Sequence, residues 1–252
     1  MIKSNGMAVS FMLAGVMMLA ACMSGTAQNP AVTKPAATAK RPAGDLFLQK
    51  AGAKPSAPFE GTGWKSLFDG KSLKGWQITD FSGHGAAKCE SGLLVIESGD
   101  SLSGVNWTNG VPKTNYEVAL DAMRVEGADF FCGLTFPVGE TNCSLILGGW
   151  GGAVTGLSSV DGEDASENET SRNMKYERGR WYRVRVRVTD AKIEAWVDAE
   201  QIVDVKTKGR KIGLRFGEIE LSRPLGLATY QTRAALREIK IRRLDVGAEA
   251  NR

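Results

Sequence analysis

From Gly61 onward the apolar residues recur with period two rather than 3.6. Glu117–Met123, Arg180–Thr189, Lys192–Val197, Gln201–Val205 and Glu238–Arg243 alternate apolar and polar positions or run through β-branched residues. The clearest case lies in Trp181–Val188: Val184, Val186 and Val188 share one face, and Arg183, Arg185 and Arg187 share the other. A strand with one face in the core of an antiparallel sheet gives this pattern. It runs through Thr189-Asp190-Ala191-Lys192 into Ile193–Val197, then through Asp198-Ala199 into Gln201–Val205, which predicts a three-stranded meander. Leu93–Glu97 and Ser144–Leu147 predict further strands. No segment beyond residue 61 carries a helical stripe of three turns. Roughly a dozen short strands joined by glycine-rich turns predict a single all-β sandwich over residues 61–246, with 247–252 as a tail.

The N-terminal quarter reads differently. Lys3 precedes an apolar run of 13 residues, Met7–Leu19, which is short for a bilayer span but suits the apolar region of a signal peptide. The run ends in Leu19-Ala20-Ala21-Cys22, which resembles a bacterial lipobox; residues 1–22 would then be a lipoprotein signal and Cys22 the lipidated mature N-terminus. Ordinary signal cleavage after Ala27 and a plain transmembrane anchor are the alternatives. The first two readings predict export, to the periplasm or to an outer-membrane-anchored lipoprotein. Residues 23–60 hold five of the chain's eight prolines among Ala, Thr, Lys and Gly, and read as a disordered tether in which Asp45–Lys50 could form a short helical turn.

Charge sharpens this division. The chain of 252 residues carries 32 basic and 28 acidic side chains, a formal +4. One basic residue lies in 1–22, and five basic and two acidic residues lie in 23–60. The remainder, 26 of each sign, makes residues 61–252 neutral, so the basic pI is no argument for a nucleic-acid partner. A single histidine, His84, excludes a multi-histidine metal site, and no G-x-S-x-G elbow is present. Four cysteines make neither a disulfide scaffold nor a paired C-x-x-C zinc pattern.

Trp64–Trp76 (WKSLFDGKSLKGW) closely resembles the opening motif "LFDGKSLxGW" of the 3-keto-disaccharide hydrolase family. Glu90–Leu94, Gly179–Arg183, Ile193–Val205 and Pro224–Ile241 resemble later segments of that family in the same order, so the resemblance covers about Trp64–Leu244. It implies a concanavalin/laminin-G-like jelly roll and the chemistry of 3-keto-glycosides. In that chemistry a C3 ketone acidifies the C2 hydrogen, a base removes it, and the C1 substituent departs with help from an acid. The chain departs from the family at three places. The family's "NSGIFFR" strand is Phe131–Pro137 here and keeps only the glycine; its "YEVQI" strand is Asn142–Ile146, without the Glu or Gln; its late histidine falls on Tyr230. The resemblance therefore implies two readings: a lyase or hydrolase of 3-keto-glycosides, or a non-catalytic carbohydrate-binding module on a membrane tether. In both the partner is carbohydrate, with the bacterial membrane engaged through the lipid anchor.

Candidate chemistry concentrates in Trp150–Thr170, where Asp161, Glu163, Asp164, Glu167 and Glu169 place five carboxylates in nine residues behind a tryptophan. Such a stretch could hold Ca²⁺ or another divalent cation through Asp161, Glu163 and Asp164, could bind sugar hydroxyls, or could be a solvated acidic loop. About twenty residues is long for a hairpin connection. Asp129, Glu140, Trp150 and Tyr230 complete the candidate glycan-binding or acid/base set. Cys132 and Cys143 flank the Pro137–Thr141 turn; they could face each other as a disulfide in an oxidising compartment, or lie as two small buried hydrophobes. The arginine stripe reads as a solvent face paired with acids of the neighbouring strand, Glu194 among them, with an anionic-glycan site as the alternative. His84, in Ser82–Gly85, reads as a surface turn residue.

Overall fold

The alternation seen in the sequence becomes two antiparallel sheets packed face to face. A computed structural model of the chain describes residues 45–245. Cys22, the signal-like segment, residues 23–44 of the expected tether and the 247–252 tail lie outside the described residues. A helix, α1 (Leu46–Ala53), precedes the strands β1 (Lys65–Ser66), β2 (Trp76–Ile78), β3 (Ala87–Glu90), β4 (Leu93–Ile96) and β5 (Leu102–Trp107). Then come β6 (Tyr116–Glu126), β7 (Cys132–Val138), β8 (Thr141–Gly149), β9 (Val154–Ser158) and β10 (Arg172–Asn173). The last are β11 (Tyr182–Val188), β12 (Lys192–Val197), β13 (Glu200–Lys206), β14 (Gly226–Tyr230) and β15 (Arg233–Arg243), with a 3₁₀ turn at Glu218–Ser222 before β14. No helix among the described residues is long and apolar enough to cross a membrane.

The first sheet runs β13-β12-β11-β6-β15-β4-β3, with β1 added on β15; the second runs β10-β9-β8-β7-β14-β5-β2. This is the all-β jelly-roll sandwich that the period-two pattern and the family resemblance predict. The β11-β12-β13 meander falls where the sequence places it. Val184, Val186 and Val188 enter the core with Leu120, Leu134, Phe136, Leu145, Leu157 and Leu236, all essentially inaccessible to water. Burying each such side chain contributes about 1.5–3 kcal/mol, and their alternation fixes which face of every strand points inward.

The outer face of the first sheet is not the solvated surface its charges suggest. On β6, Glu117 and Asp121 point away from the core, yet they are only 0% and 4% exposed. Arg187 sits opposite Glu117 in the β6–β11 register and Arg183 opposite Asp121. From the other flank, β15 sets Arg242 opposite Glu117 and Arg237 opposite Asp121. Arg187 donates to Glu117 at 2.7 Å and Arg183 to Asp121 at 3.0 Å; Arg242 also pairs with Glu117, and Arg237 with Asp121 at 3.3 Å. The stripe is therefore paired mainly by β6, with Glu194 a further partner of Arg187 at 3.8 Å.

Residues 45–64 roof this network, so the last part of the expected tether is folded. Asp45 caps α1 by accepting from the Phe47 and Leu48 amides, and its carboxylate pairs with Arg233 at 2.8 Å. Leu48 and Ala51 then bury themselves against Leu93, Val95, Met123, Val125 and Ala235. Composition hides this, because two apolar residues one turn apart are too few to stand out among alanines and prolines. Beyond the helix, the Arg183 guanidinium donates to Ser56 Oγ and to the carbonyls of Ala57 and Pro58, and lies over the Phe59 ring.

Glu117 is buried from water, and its removal takes a carboxylate from Arg185, Arg187 and Arg242 together. Glu117→Gln is expected to lower the unfolding free energy by about 3–5 kcal/mol. Urea unfolding measures this; a loss below about 1 kcal/mol would show that the pairs behave like exposed ones.

Candidate functional site

The outer face of the second sheet is lined by small residues. Gly104, Gly133, Thr135, Ser144, Gly156, Ser158, Gly226 and Ala228 face away from the core on β5, β7, β8, β9 and β14, leaving a floor on which neighbouring loops rest. Gly133, the position kept from the family's "NSGIFFR" strand, shows the effect: a Cβ there would come within 3.0 Å of the Phe130 ring. Phe130 is thus laid flat over the sheet beside Tyr230, with ring centroids 6.1 Å apart.

A cavity of 340 Å³ opens above this floor, between the β6–β7 turn, the β8–β9 turn and the segment before the 3₁₀ turn. Its walls are Trp150, Phe130, Tyr230 and Phe216, with Asp129, Glu218 and Arg215 at the polar positions. Phe216 is 94% exposed and Trp150 42%, an unusual cost for two large apolar rings on a free surface. Arg215 joins the two sides: its guanidinium lies 5.8 Å from the Trp150 ring centre and pairs with Asp164 at 2.8 Å. Aromatic faces flanked by carboxylate and guanidinium groups can stack on the apolar face of a sugar ring and bond its hydroxyls.

Three of the sequence candidates, Asp129, Trp150 and Tyr230, meet in this one cavity, and Asp164 reaches its rim through Arg215. Asp129 is braced rather than free. Its two carboxylate oxygens accept from the Phe130 and Gly151 amides at 2.7 and 2.9 Å, fixing the Trp150 turn. Glu218 is held by one oxygen only, which accepts from the Ser82 amide at 3.2 Å. Glu167 lines, with Asp164, a separate recess behind Arg215 and Phe216. Glu140 stands at the tip of the β7–β8 hairpin, 87% exposed and paired with Lys113 at 2.6 Å. His84 is an exposed turn residue whose Nδ1 lies 2.9 Å from the Gly85 carbonyl oxygen.

The acidic stretch does not form a cation site. Asp161 turns to Arg210 and the Lys211 amide, and Asp164 to Ser158, the Ala165 amide and Arg215, while Glu163 is exposed and is engaged through its backbone, by a bridge with Val160 and by the Asn168 side chain. Among the described residues no group of three or more His, Cys, Asp and Glu side chains is placed to hold a metal ion. The long loop itself is divided, because Val154–Ser158 forms β9 and pairs with β8. Its glycine and serine positions had hidden the strand. The family's acid, amide and histidine positions fall on Cys143, Leu145 and Tyr230 here, and the first two lie buried in the core.

The proposed Cys132–Cys143 disulfide is corrected by register. The hairpin turns at Gly139-Glu140, so Cys132 pairs with Leu147 and Cys143 with Phe136. The two cysteines are four pairs apart along the ladder, about 13 Å, which exceeds the Cα separation of about 7 Å that a disulfide tolerates. Both are free and buried.

Phe130, Arg215, Phe216 and Glu218 are cavity residues that the sequence candidates do not include. The available signal is an exposed aromatic in a glycine-flanked run, Gly213–Gly217, outside any period-two pattern.

Residues 63–242 match the sequence model of a family described as the 3-keto-alpha-glucoside-1,2-lyase-like domain. No curated protein matches the chain. Among solved structures, a carbohydrate binding module from Bacillus subtilis is similar at 12% identity and a TM-score of 0.42, over 67% of this chain and 95% of that one. A glycosyl hydrolase family protein from Mycobacterium fortuitum matches at 14% identity and a TM-score of 0.42, over 69% and 94%. A Bacillus subtilis protein of unknown function with a galectin-like fold matches at 12% and 0.45, over 68% and 90%.

Burial pushes the thiols of Cys132 and Cys143 up to about 12. At pH 8 both should resist iodoacetamide in the folded protein, and both should be labelled after unfolding without reductant. Labelling only after reduction would instead reveal a disulfide.

Proposed function

The chain belongs to the 3-keto-alpha-glucoside-1,2-lyase-like domain family, and from that premise we propose that it cleaves oxidised glycosides in the Trp150–Phe216 cavity. The observation that carries the reading is the convergence of a singly held carboxylate, a guanidinium and a phenol between exposed aromatic rings. In this reading the sugar ring stacks on Trp150 and Phe216. Glu218, with one oxygen tied to Ser82, takes the C2 proton with the other. The electron pair moves onto the C3 oxygen as an enolate facing the Arg215 guanidinium. As the enolate collapses, the C1–O bond breaks and the departing oxygen receives the Tyr230 phenol proton, leaving a 3-keto-1,2-ene and a free aglycon.

A specific observation favours a second reading, a carbohydrate-binding module. Asp129 spends both carboxylate oxygens on backbone amides, as a loop brace would. Aglycon release separates the two. The purified protein is expected to release nitrophenol from p-nitrophenyl 3-keto-glucoside. Glu218→Gln should lower kcat by about 10²–10⁴-fold, and Phe216→Ala should act mainly on KM. Binding without release would leave the module reading, and neither binding nor release would overturn both.

The proposal includes location. Residues 1–22 export the chain and Cys22 carries lipid, so that the domain works at a bacterial membrane surface in the periplasm. In a bacterial host, Cys22→Ala should abolish palmitate incorporation and move the protein from the membrane to the soluble fraction. Unchanged incorporation would refute lipidation at Cys22.

A further inference from the structure

Beside the aromatic cavity, across the Gly151-Gly152 turn, lies an open recess of 600 Å³, within the range of about 300–1,000 Å³ common for ligand sites. Its charged lining is Arg124, Lys175 and Arg178, with no carboxylate among the lining residues. Lys175 and Arg178 are exposed, and among the described residues neither has a carboxylate within salt-bridge distance. They contrast with the arginines of the first sheet, which share buried acids.

Arg124 is the more telling group. It is 7% exposed and has no ion pair among the described residues; one of its nitrogens, Nη2, donates to the carbonyls of Gly148 and Gly152 at 3.3 and 3.2 Å. Its Nε is buried without a hydrogen-bond partner. The carboxylate whose field reaches it, Asp129, has both oxygens bonded to backbone amides. Taking a guanidinium out of water without an ion-pair partner is costly, and the Asp129 field, the Phe131 ring 5.2 Å away and two carbonyl dipoles compensate only in part. The local backbone is shaped to keep the group there: Gly148 has φ +73°, and a Cβ on it would lie 2.5 Å from the Arg124 Nη2.

We propose that this recess is an oxyanion subsite, in which Arg124, Lys175 and Arg178 bind the carboxylate or sulfate substituent of an acidic sugar. A planar guanidinium with a spare donor and two exposed cations suit a group with several acceptor oxygens. The assignment names the substrate class of the neighbouring cavity, an anionic glycan crossing the Gly151-Gly152 turn, and as a glycan subsite it rests on the reading given above.

Amide NMR titrations of the protein with glucuronate, inorganic sulfate and glucose test it. Glucuronate, sulfate or both should shift the Gly152, Ala153 and Met174 amides, whereas glucose should not. Which anion acts distinguishes a uronic from a sulfated sugar. Lys175→Gln with Arg178→Gln, both exposed and so safe for folding, should weaken the response about tenfold or more. The site is overturned if neither anion moves those amides, if glucose moves them equally, or if the double variant responds like the parent. The Trp150 indole N–H and the Phe216 amide report the aromatic cavity separately in the same spectra. Sugar shifts there with a silent Gly152 would sink the oxyanion subsite and leave the glycan reading standing. Anion shifts at Gly152 with Trp150 and Phe216 silent to every sugar would uphold the anion site and retire the glycan reading.

Discussion

The sandwich depends on two carboxylates that face the wrong way. Glu117 and Asp121 project from the central strand β6 to the outer side of its sheet, where they are as deeply buried as the valines of the core. Each is flanked by an arginine from β11 and one from β15, so the three central strands are tied across their outer face as well as through their backbone ladders. Such groups are stable out of water only as a set, because the desolvation of each charge is offset by the others. The network also needs a cover, and residues 45–64 supply it.

This arrangement commits the two faces of the molecule to different uses. The first sheet spends its outer surface on the charge network and its roof. The second keeps an outer floor of glycine, serine, threonine and alanine, low enough for loops to lie across it. Those loops bring Asp129 with Trp150, and Arg215 with Phe216 and Glu218, over the middle of the sheet. The cavity is thus assembled from segments far apart in sequence on a floor made rigid by the ladders beneath. Of the family's Glu, Gln and histidine positions, only one supplies a polar group to this cavity: Tyr230 replaces the histidine, whereas Cys143 and Leu145, which stand where the strand elsewhere carries Glu and Gln, are buried in the core.

Much of the fold was legible because burial writes itself into a strand as alternation. Val184, Val186 and Val188 announce both their strand and its inward face, and the meander that follows needs only the turn residues between. The opening motif around Phe68-Asp69-Gly70 places the chain in its family. The site was half legible: Asp129, Trp150 and Tyr230 were found as chemistry-bearing residues, but nothing local sets them beside Arg215, Phe216 and Glu218. The acidic run misled because a cluster in sequence is not a cluster in space. Asp161 and Asp164, three residues apart, turn to different arginines.

By itself, then, the sequence determined the class of fold, the family, and the separation of a basic, proline-rich N-terminal region from a neutral strand-rich domain. Each of these follows from local periodicity, composition or a short contiguous motif. Tertiary structure alone decided which charges are buried, that Cys132 and Cys143 do not face each other, and which loops meet. The reason is register. Arg237 and Arg242 are five residues apart and would lie on opposite faces of a regular strand. An irregularity at Glu238, with φ +53°, returns both to the outer face, where they grip Asp121 and Glu117. The turn between Cys132 and Cys143 lies two residues beyond their midpoint, which sets them four pairs apart in the ladder. A shift of one residue in a ladder exchanges inside for outside, and only pairing with distant strands fixes that shift.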